Sequence, residues 1–139
     1  MQFFMCKQKL ESIQKDMALL NHPLIGGICP KIINDKLEIN IYDKDGKPVI
    51  EHIDQPPYFF MHGFVVSIDA HILLLERIYL NKVYRGLGIG HEVINLLESS
   101  GRNQGLKKVV LTPDKDTDSR DYWLKRGFTD YLEHMHKIL

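Results

Sequence analysis

The stretch Arg85-Gly-Leu-Gly-Ile-Gly90 decides the fold, because it joins an apolar run to an amphipathic one. Before it, residues 71–80 are almost continuously apolar, which is typical of a central strand covered on both faces. After it, apolar residues recur at helical spacing, and Gly105 is suited to end that helix. They are Ile89, Val93, Ile94, Leu96 and Leu97. Residues 107–112 predict a second strand, so the two strands should be parallel with a right-handed crossover between them.

The three glycines of this stretch predict an anion site. Gly86, Gly88 and Gly90 expose backbone N–H groups at the start of a helix, where the helix dipole favours negative charge. Arg85 adds a positive charge, so a phosphate or pyrophosphate is the natural occupant. The alternative is a glycine-rich turn that only allows tight strand–helix packing. A P-loop is excluded by the missing Gly-Lys-Ser/Thr, and the spacing also departs from a dinucleotide fingerprint.

The rest of the chain predicts further elements around this unit. Amphipathic spacing favours a helix over 7–20, and two prolines with a Gly-Gly pair favour a loop over 21–36. The remaining predictions are strands over 37–42 and 58–68, a turn at 43–46 with a short returning arm at 47–50, a tight turn at Asp69, a helix over 118–126 stopped by Gly127, and one last strand over 131–139.

Composition restricts the class of protein. The 139 residues carry 18 Lys and Arg against 18 Asp and Glu, so no overall charge favours nucleic acid or an anionic membrane. Length and a 44% hydrophobic content are typical of one globular domain. Cys6 and Cys29 form no disulfide framework or ligand spacing, and no signal peptide or membrane span is apparent. We therefore expect a cytoplasmic protein without a metal.

Four segments of the second half resemble the GNAT superfamily of acetyl-CoA-dependent N-acetyltransferases. They are residues 75–80, 84–90, 105–111 and 121–128. The resemblance covers about 58–139 and implies an α/β (α+β) fold, in which a mixed, mostly antiparallel sheet carries a central splayed parallel βαβ pair and helices on both faces. It implies one domain over 1–139, with 1–57 on the substrate side and 58–139 forming the acetyl-CoA-binding core.

The resemblance also implies a coenzyme site. Arg85 and the backbone amides of Gly86, Leu87, Gly88, Ile89 and Gly90 would hold the coenzyme A pyrophosphate. The pantetheine arm would lie between the splayed strands and pair with the backbone of Ile78, Tyr79 and Leu80. The Leu80 amide would polarise the thioester carbonyl. A β-bulge in this strand is typical of the family.

Glu76 is the candidate general base, because it interrupts an apolar run and burial would raise the pKa of its carboxyl. The alternative is that Glu76 faces a polar strand edge or pairs with a lysine. His62, Asp69 and His71 are lesser candidates near the same strands.

The candidate acid departs from the family pattern. The usual tyrosine lies five residues before Phe128, where this chain has Trp123, which has no proton to give a thiolate. Tyr122 is the neighbouring candidate, although one helical residue turns it by about 100°. Another residue, water or unassisted departure of the thiolate are the alternatives. Trp123 would pack on the pantetheine or in the core, and Asp116 and Ser119 would lie near the coenzyme.

The sequence therefore predicts an enzyme that moves an acetyl group from acetyl-CoA to a primary amine of a small molecule or protein, by direct attack in a ternary complex. The alternative is a coenzyme-A-binding module with little turnover, acting as a sensor or interaction partner. We expect no nucleic-acid or membrane partner. The residues after Phe128 are fewer than the family's usual two final strands need, so the last strand would be single or completed by a partner subunit in a homodimer. His134 and His136 share a strand face but lack a third metal ligand.

Overall fold

The computed structural model describes residues 2–47, 64–77, 88–112, 117–131 and 134–139. Its helices are α1 (Gln2–Met17), α2 (Ile89–Asn103) and α3 (Thr117–Lys125). Its strands are β1 (Ile25–Ile33), β2 (Lys36–Asp43), β3 (Phe64–Asp69), β4 (Ile72–Arg77), β5 (Lys108–Leu111), β6 (Thr129–Tyr131) and β7 (His134–Ile138). None of these three helices is long and apolar enough to cross a membrane.

The strands form one sheet in the order β1-β2-β3-β4-β5-β7-β6. Every neighbouring pair is antiparallel except β4 and β5, which run parallel from Ile72↔Lys108 to Leu75↔Leu111. The predicted α/β fold, with a mostly antiparallel sheet around one parallel strand–helix–strand pair, is confirmed. Helices on both faces stay a prediction for α3.

The amphipathic helices α1 and α2 cover one face of the sheet. In α2, Ile89, Val93, Ile94 and Leu97 are buried as predicted, whereas Leu96 is only partly buried. α1 packs on α2 and on the first three strands. Its buried residues are Leu10, Ile13 and Met17, with Leu20 just beyond it. Helix α1 starts earlier than predicted and ends at Met17.

A polar contact joins the two helices within this apolar layer. The Ser100 hydroxyl on α2 donates a hydrogen bond to Asp16 Oδ2 on α1 at 2.6 Å. Ser100 is fully buried, so its hydroxyl needs such a partner inside the protein. The contact therefore favours one relative placement of α1 and α2.

The predicted loop over 21–36 is wrong, because most of it is strand β1. β1 is an edge strand, and an edge tolerates Pro30, which has no N–H to donate to a neighbour. Its carbonyl oxygen accepts a hydrogen bond from Gln14 Nε2 of α1 at 3.0 Å. Gly26 lies at a register shift, where an added Cβ would come within 2.3 Å of the Asp43 carbonyl oxygen. Two of the residues that suggested a loop are therefore compatible with a strand, Pro30 through its edge position and Gly26 through the register shift.

The chain end also differs from the prediction of one last strand over 131–139. Two short strands are present, and β7 lies between β5 and β6. Val109 on β5 faces Lys137 on β7, so the chain's own residues occupy the position beside β5. Strands this short show too little alternation of apolar and polar residues for the sequence to distinguish two strands from one.

The glycine-based boundaries are confirmed. Gly105 and Gly127 have φ of 77° and 93° after α2 and α3, a left-handed conformation that favours glycine. The predicted turn at 43–46 is also present, and the Asp43 N–H donates to the Lys47 carbonyl oxygen at 2.8 Å. The tight turn after Asp69 includes Ala70 with φ of 54°. The predicted arm over 47–50 and the first part of the strand over 58–68 extend into 48–63, outside the described residues.

Candidate active site

A β-bulge in β4 marks the centre of the candidate site. On the neighbouring strand β3, Val66 faces Leu75 and Val65 faces Arg77, so Glu76 is an extra residue without an opposite partner. Such a bulge bends the strand and redirects its side chains and peptide groups. The bulge that the resemblance implied is therefore present, and its extra residue is the candidate base.

The bulge coincides with the end of the parallel pairing between β4 and β5. Leu75↔Leu111 is the last residue pair of these strands, and Glu76 comes directly after it. β4 continues to Arg77 alongside β3 alone. The bulge therefore lies where the described β4–β5 pairing stops, at the carboxyl end of β4.

The Glu76 side chain is not buried, so the burial on which its predicted role as a base depended is wrong. Its side chain is 33% exposed, and its Oε1 accepts a hydrogen bond from Lys36 Nζ at 3.1 Å. Pairing with a lysine was the alternative for this residue, and it is the arrangement found. The alternation of the strand is the physical reason, because Leu73 and Leu75 face the core and Glu76 therefore points to the opposite face.

The start of α2 has the backbone geometry that the glycine stretch predicted. Gly88 is the N-cap residue with φ of 89°, and its carbonyl oxygen accepts the Glu92 N–H at 3.0 Å. Gly88 is exposed, whereas Ile89 and Gly90 are buried against the core. The first N–H groups of a helix have no partner within the helix, so this exposed end is suited to an anion.

Several candidate coenzyme residues lie outside the part of the chain that the structure describes. Ser119 belongs to α3, but its side chain is not described. The others are Ile78, Tyr79, Leu80, Arg85, Gly86, Leu87 and Asp116, and of the lesser base candidates His62.

His22 is a neighbour of this helix start that sequence reasoning missed. A Cβ placed on Gly88 would lie 3.6 Å from His22 Nε2. The Leu24 N–H donates to His22 Nδ1 at 3.1 Å, so the neutral ring carries its proton on Nε2, the atom nearest Gly88. No spacing rule relates position 22 to position 88, and the surrounding segment read as a loop.

The two aromatic residues of α3 have different surroundings. Trp123 is 7% exposed and packs edge-on against Phe128, with ring centroids 5.3 Å apart. Trp123 therefore packs in the core, which was one of the two surroundings predicted for it. Tyr122 is half-buried, meets Trp123 edge-on at 5.0 Å, and has the Arg126 guanidinium 4.4 Å above its ring. That cation–π contact holds the Tyr122 ring against Arg126, a partner that Trp123 does not share.

α3 is also held to the sheet at its other end. Arg120 pairs through two nitrogens with the carboxylate of Asp130 on β6. The hydrogen bond and the opposite charge of Asp130 raise the pKa of the Arg120 guanidinium. Tyr122 thus lies on a helix with contacts to the rest of the fold at both ends.

A cavity of about 300 Å³ lies away from the candidate site, between the first turns of α1 and the turns that follow β1 and β3. It is lined by Cys6, Lys7, Leu10, Ile32, Asp35, Ile68, Asp69 and Ala70.

Asp69 and His71 belong to the β3–β4 turn, so these lesser base candidates lie at the opposite end of β4 from Glu76. The structure does not bring them to the bulge. Among the described residues, no group of three or more His, Cys, Asp or Glu side chains is arranged to hold a metal ion.

Comparison with known proteins identifies the family. The sequence model of the Acetyltransferase (GNAT) family matches residues 24–128, which is most of the chain and includes the bulge, the glycine stretch and Phe128. The chain belongs to the GNAT family of acetyltransferases. No curated protein sequence matches this GNAT chain significantly.

Solved structures share the fold at low sequence identity. Nourseothricin acetyltransferase is 18% identical with a TM-score of 0.58, and the match covers 78% of this chain and 69% of that one. PaiA N-acetyltransferase from Thermoplasma acidophilum, solved with coenzyme A, is 18% identical with a TM-score of 0.58, over 76% of this chain and 62% of that one. An acetyltransferase from Bacillus cereus is 15% identical with a TM-score of 0.58, over 95% and 89% of the two chains. These likenesses show the GNAT fold.

Proposed function

We propose that this GNAT protein is an N-acetyltransferase that moves the acetyl group of acetyl-CoA directly to a primary amine. One observation carries the proposal. The bulge at Glu76 directly follows the last β4–β5 pair of the described residues, at the end of the parallel pair where the family would place the pantetheine arm. Family membership indicates the class of reaction, and the bulge supports the location of the reaction site in this chain.

The coenzyme would be held by backbone groups more than by charge. The exposed left-handed Gly88 supports a pyrophosphate at the start of α2, with Gly86, Leu87, Ile89, Gly90 and Arg85 completing the site. We add His22 to this set, because its Nε2 lies beside Gly88. The pantetheine arm would pair with the backbone of Ile78, Tyr79 and Leu80 beyond the bulge.

The transfer needs two proton movements. The acceptor ammonium loses a proton to Glu76, directly or through water, and its nitrogen then attacks the thioester carbonyl carbon. The carbon–sulfur bond breaks, and the departing thiolate takes a proton from Tyr122 or from water. The second proton that the acceptor nitrogen loses after attack restores that donor. The backbone amide of Leu80 would stabilise the negative charge on the carbonyl oxygen during attack.

A second candidate function is a GNAT module that binds coenzyme A with little turnover. Two observations favour it. Trp123 stands at the usual tyrosine position and is buried in the core, and the Glu76 carboxylate is already paired with Lys36. Neither observation affects coenzyme binding, so the two functions differ only in turnover.

The deciding experiment measures free thiol release from acetyl-CoA with a panel of amines and lysine peptides, alongside thermal stabilisation by coenzyme A. Release that depends on an amine supports the enzyme, and stabilisation without release supports the module. No stabilisation by either form of the coenzyme would contradict both. Glu76→Gln should lower turnover and leave coenzyme binding intact, with Glu11→Gln, an exposed carboxylate on α1, as the matched control.

A further inference from the structure

The Lys36–Glu76 ion pair joins two strands that are not neighbours in the sheet. Lys36 starts β2 and Glu76 lies on β4, so their side chains reach each other across β3. Lys36 precedes the buried Leu37 and therefore points to the sheet face away from α1 and α2. The pair lies on the face of the sheet opposite α1 and α2, beside the last described β4–β5 pair.

Two local features place these side chains together. Asn34 and Asp35 have φ of 50° and 63°, which makes the β1–β2 connection a two-residue turn closed by the pair Ile33↔Lys36. Glu76 follows the buried Leu75 and so points to the same face of the sheet as Lys36, and the bulge leaves it without an opposite partner on β3. The tight turn thus positions Lys36, and the alternation of β4 positions Glu76.

The group that Glu76 binds in this structure is a primary ammonium. The acceptor of the reaction proposed above is also a primary amine, which is protonated in water near neutral pH. The same carboxylate oxygen cannot hold both ammonium groups in the same position. We propose that Lys36 occupies the acceptor's ammonium position on Glu76, so that a cationic acceptor must displace the lysine before it reacts. This inference rests on the proposed acetyltransferase function.

The competition should be modest in size. Both side chains are partly exposed, 50% for Lys36 and 33% for Glu76, and ion pairs of this kind are weak and screened by salt. Removing the lysine should therefore tighten acceptor binding by about threefold at low salt and by less at high salt. A lysine that only stabilised the fold would not produce this gain.

The test uses the full chain saturated with coenzyme A, which binds but cannot donate an acetyl group. The Kd of the best cationic amine from the acceptor panel is measured by titration calorimetry at low and high salt. We expect Lys36→Met to lower this Kd about threefold at low salt. Lys36→Arg should behave as the wild type, because it keeps the cation. Lys31→Met removes an exposed charge from the same hairpin and should not change the Kd.

A double variant ties the effect to the carboxylate. In a Glu76→Gln background, the Lys36→Met substitution should no longer tighten acceptor binding, because no carboxylate remains to compete for. An unchanged or raised Kd in Lys36→Met, or an equal gain in Lys31→Met, would overturn the proposal. Melting temperatures of all variants show whether each is folded. Failure of the proposed function is recognised separately, as absence of thiol release by the wild type with every amine.

Discussion

Lys137 Nζ on β7 lies 2.6 Å from Glu98 Oε1 on α2 and donates a hydrogen bond at 2.9 Å to the carbonyl oxygen of Arg126, just after α3. The Glu98 side chain is only 4% exposed, and that of Lys137 is 26% exposed. One ammonium thus joins the helix that starts at the candidate coenzyme site to the end of the helix that carries Tyr122. This contact connects α2 and β7 to the end of α3.

Lys137→Met should destabilise the fold strongly, because it leaves the Glu98 carboxylate buried without its partner. The expected loss is about 2–4 kcal/mol in the free energy of unfolding, measured by urea denaturation. Lys36→Met removes the lysine of an exposed pair and should cost less than about 1 kcal/mol. Adding Glu98→Leu to Lys137→Met should recover much of the loss, since a buried pair can be replaced by apolar groups. Equal losses for the two lysine variants would contradict this account.

Gly88→Asp should abolish coenzyme binding, because it places a side chain and a negative charge where the pyrophosphate is expected. The control is Gly105→Asp, whose φ of 77° imposes similar backbone strain at the opposite end of α2, where an added Cβ meets nothing within 4 Å. Both variants should lose about 1 kcal/mol of stability, but only Gly88→Asp should lose thermal stabilisation by coenzyme A. Wild-type affinity in Gly88→Asp would refute the position of the anion site.

His22→Leu should weaken binding of ligands that carry the coenzyme's diphosphate. We expect a loss of about fivefold to tenfold in affinity for both coenzyme A and dephospho-coenzyme A, which corresponds to one hydrogen bond. Affinity for pantetheine, which lacks the diphosphate, should be unchanged. His22→Gln keeps an N–H donor near the Nε2 position and should bind more tightly than His22→Leu. A loss that extends equally to pantetheine would show that His22 acts only on the fold.

The sequence allowed the βαβ unit to be predicted because its signals are local. The stripe in α2 and the stop residues Gly105 and Gly127 each depend on neighbours within a few positions, and all are confirmed. Strand β1 was missed because Gly26 and Pro30 indicate a loop unless the strand is known to be at an edge, which only the whole sheet decides.

The side-chain contacts of the site could not be predicted for the same physical reason. Lys36 and Glu76 meet across the intervening strand β3, so their contact depends on the strand order of the whole sheet. His22 lies beside Gly88 through the docking of the α1–β1 connection against the start of α2. Such contacts arise from packing between distant segments, whereas composition and spacing describe only near neighbours.

Tyr122 and Trp123 can be separated by a pair of substitutions on the same helix. Tyr122→Phe removes only the hydroxyl, so a role as the acid predicts a turnover about a hundredfold lower, with unchanged coenzyme affinity and little change in stability. Trp123→Phe keeps a ring beside Phe128 but reduces its volume, so it should cost about 1–3 kcal/mol of stability and leave turnover per folded molecule unchanged. Assays of thiol release measure turnover, and urea titrations of the same preparations measure stability. Undiminished turnover in Tyr122→Phe would remove Tyr122 as the acid and leave another residue, water or unassisted departure of the thiolate. In that case the buried indole of Trp123 replaces the family's usual tyrosine as a packing residue only.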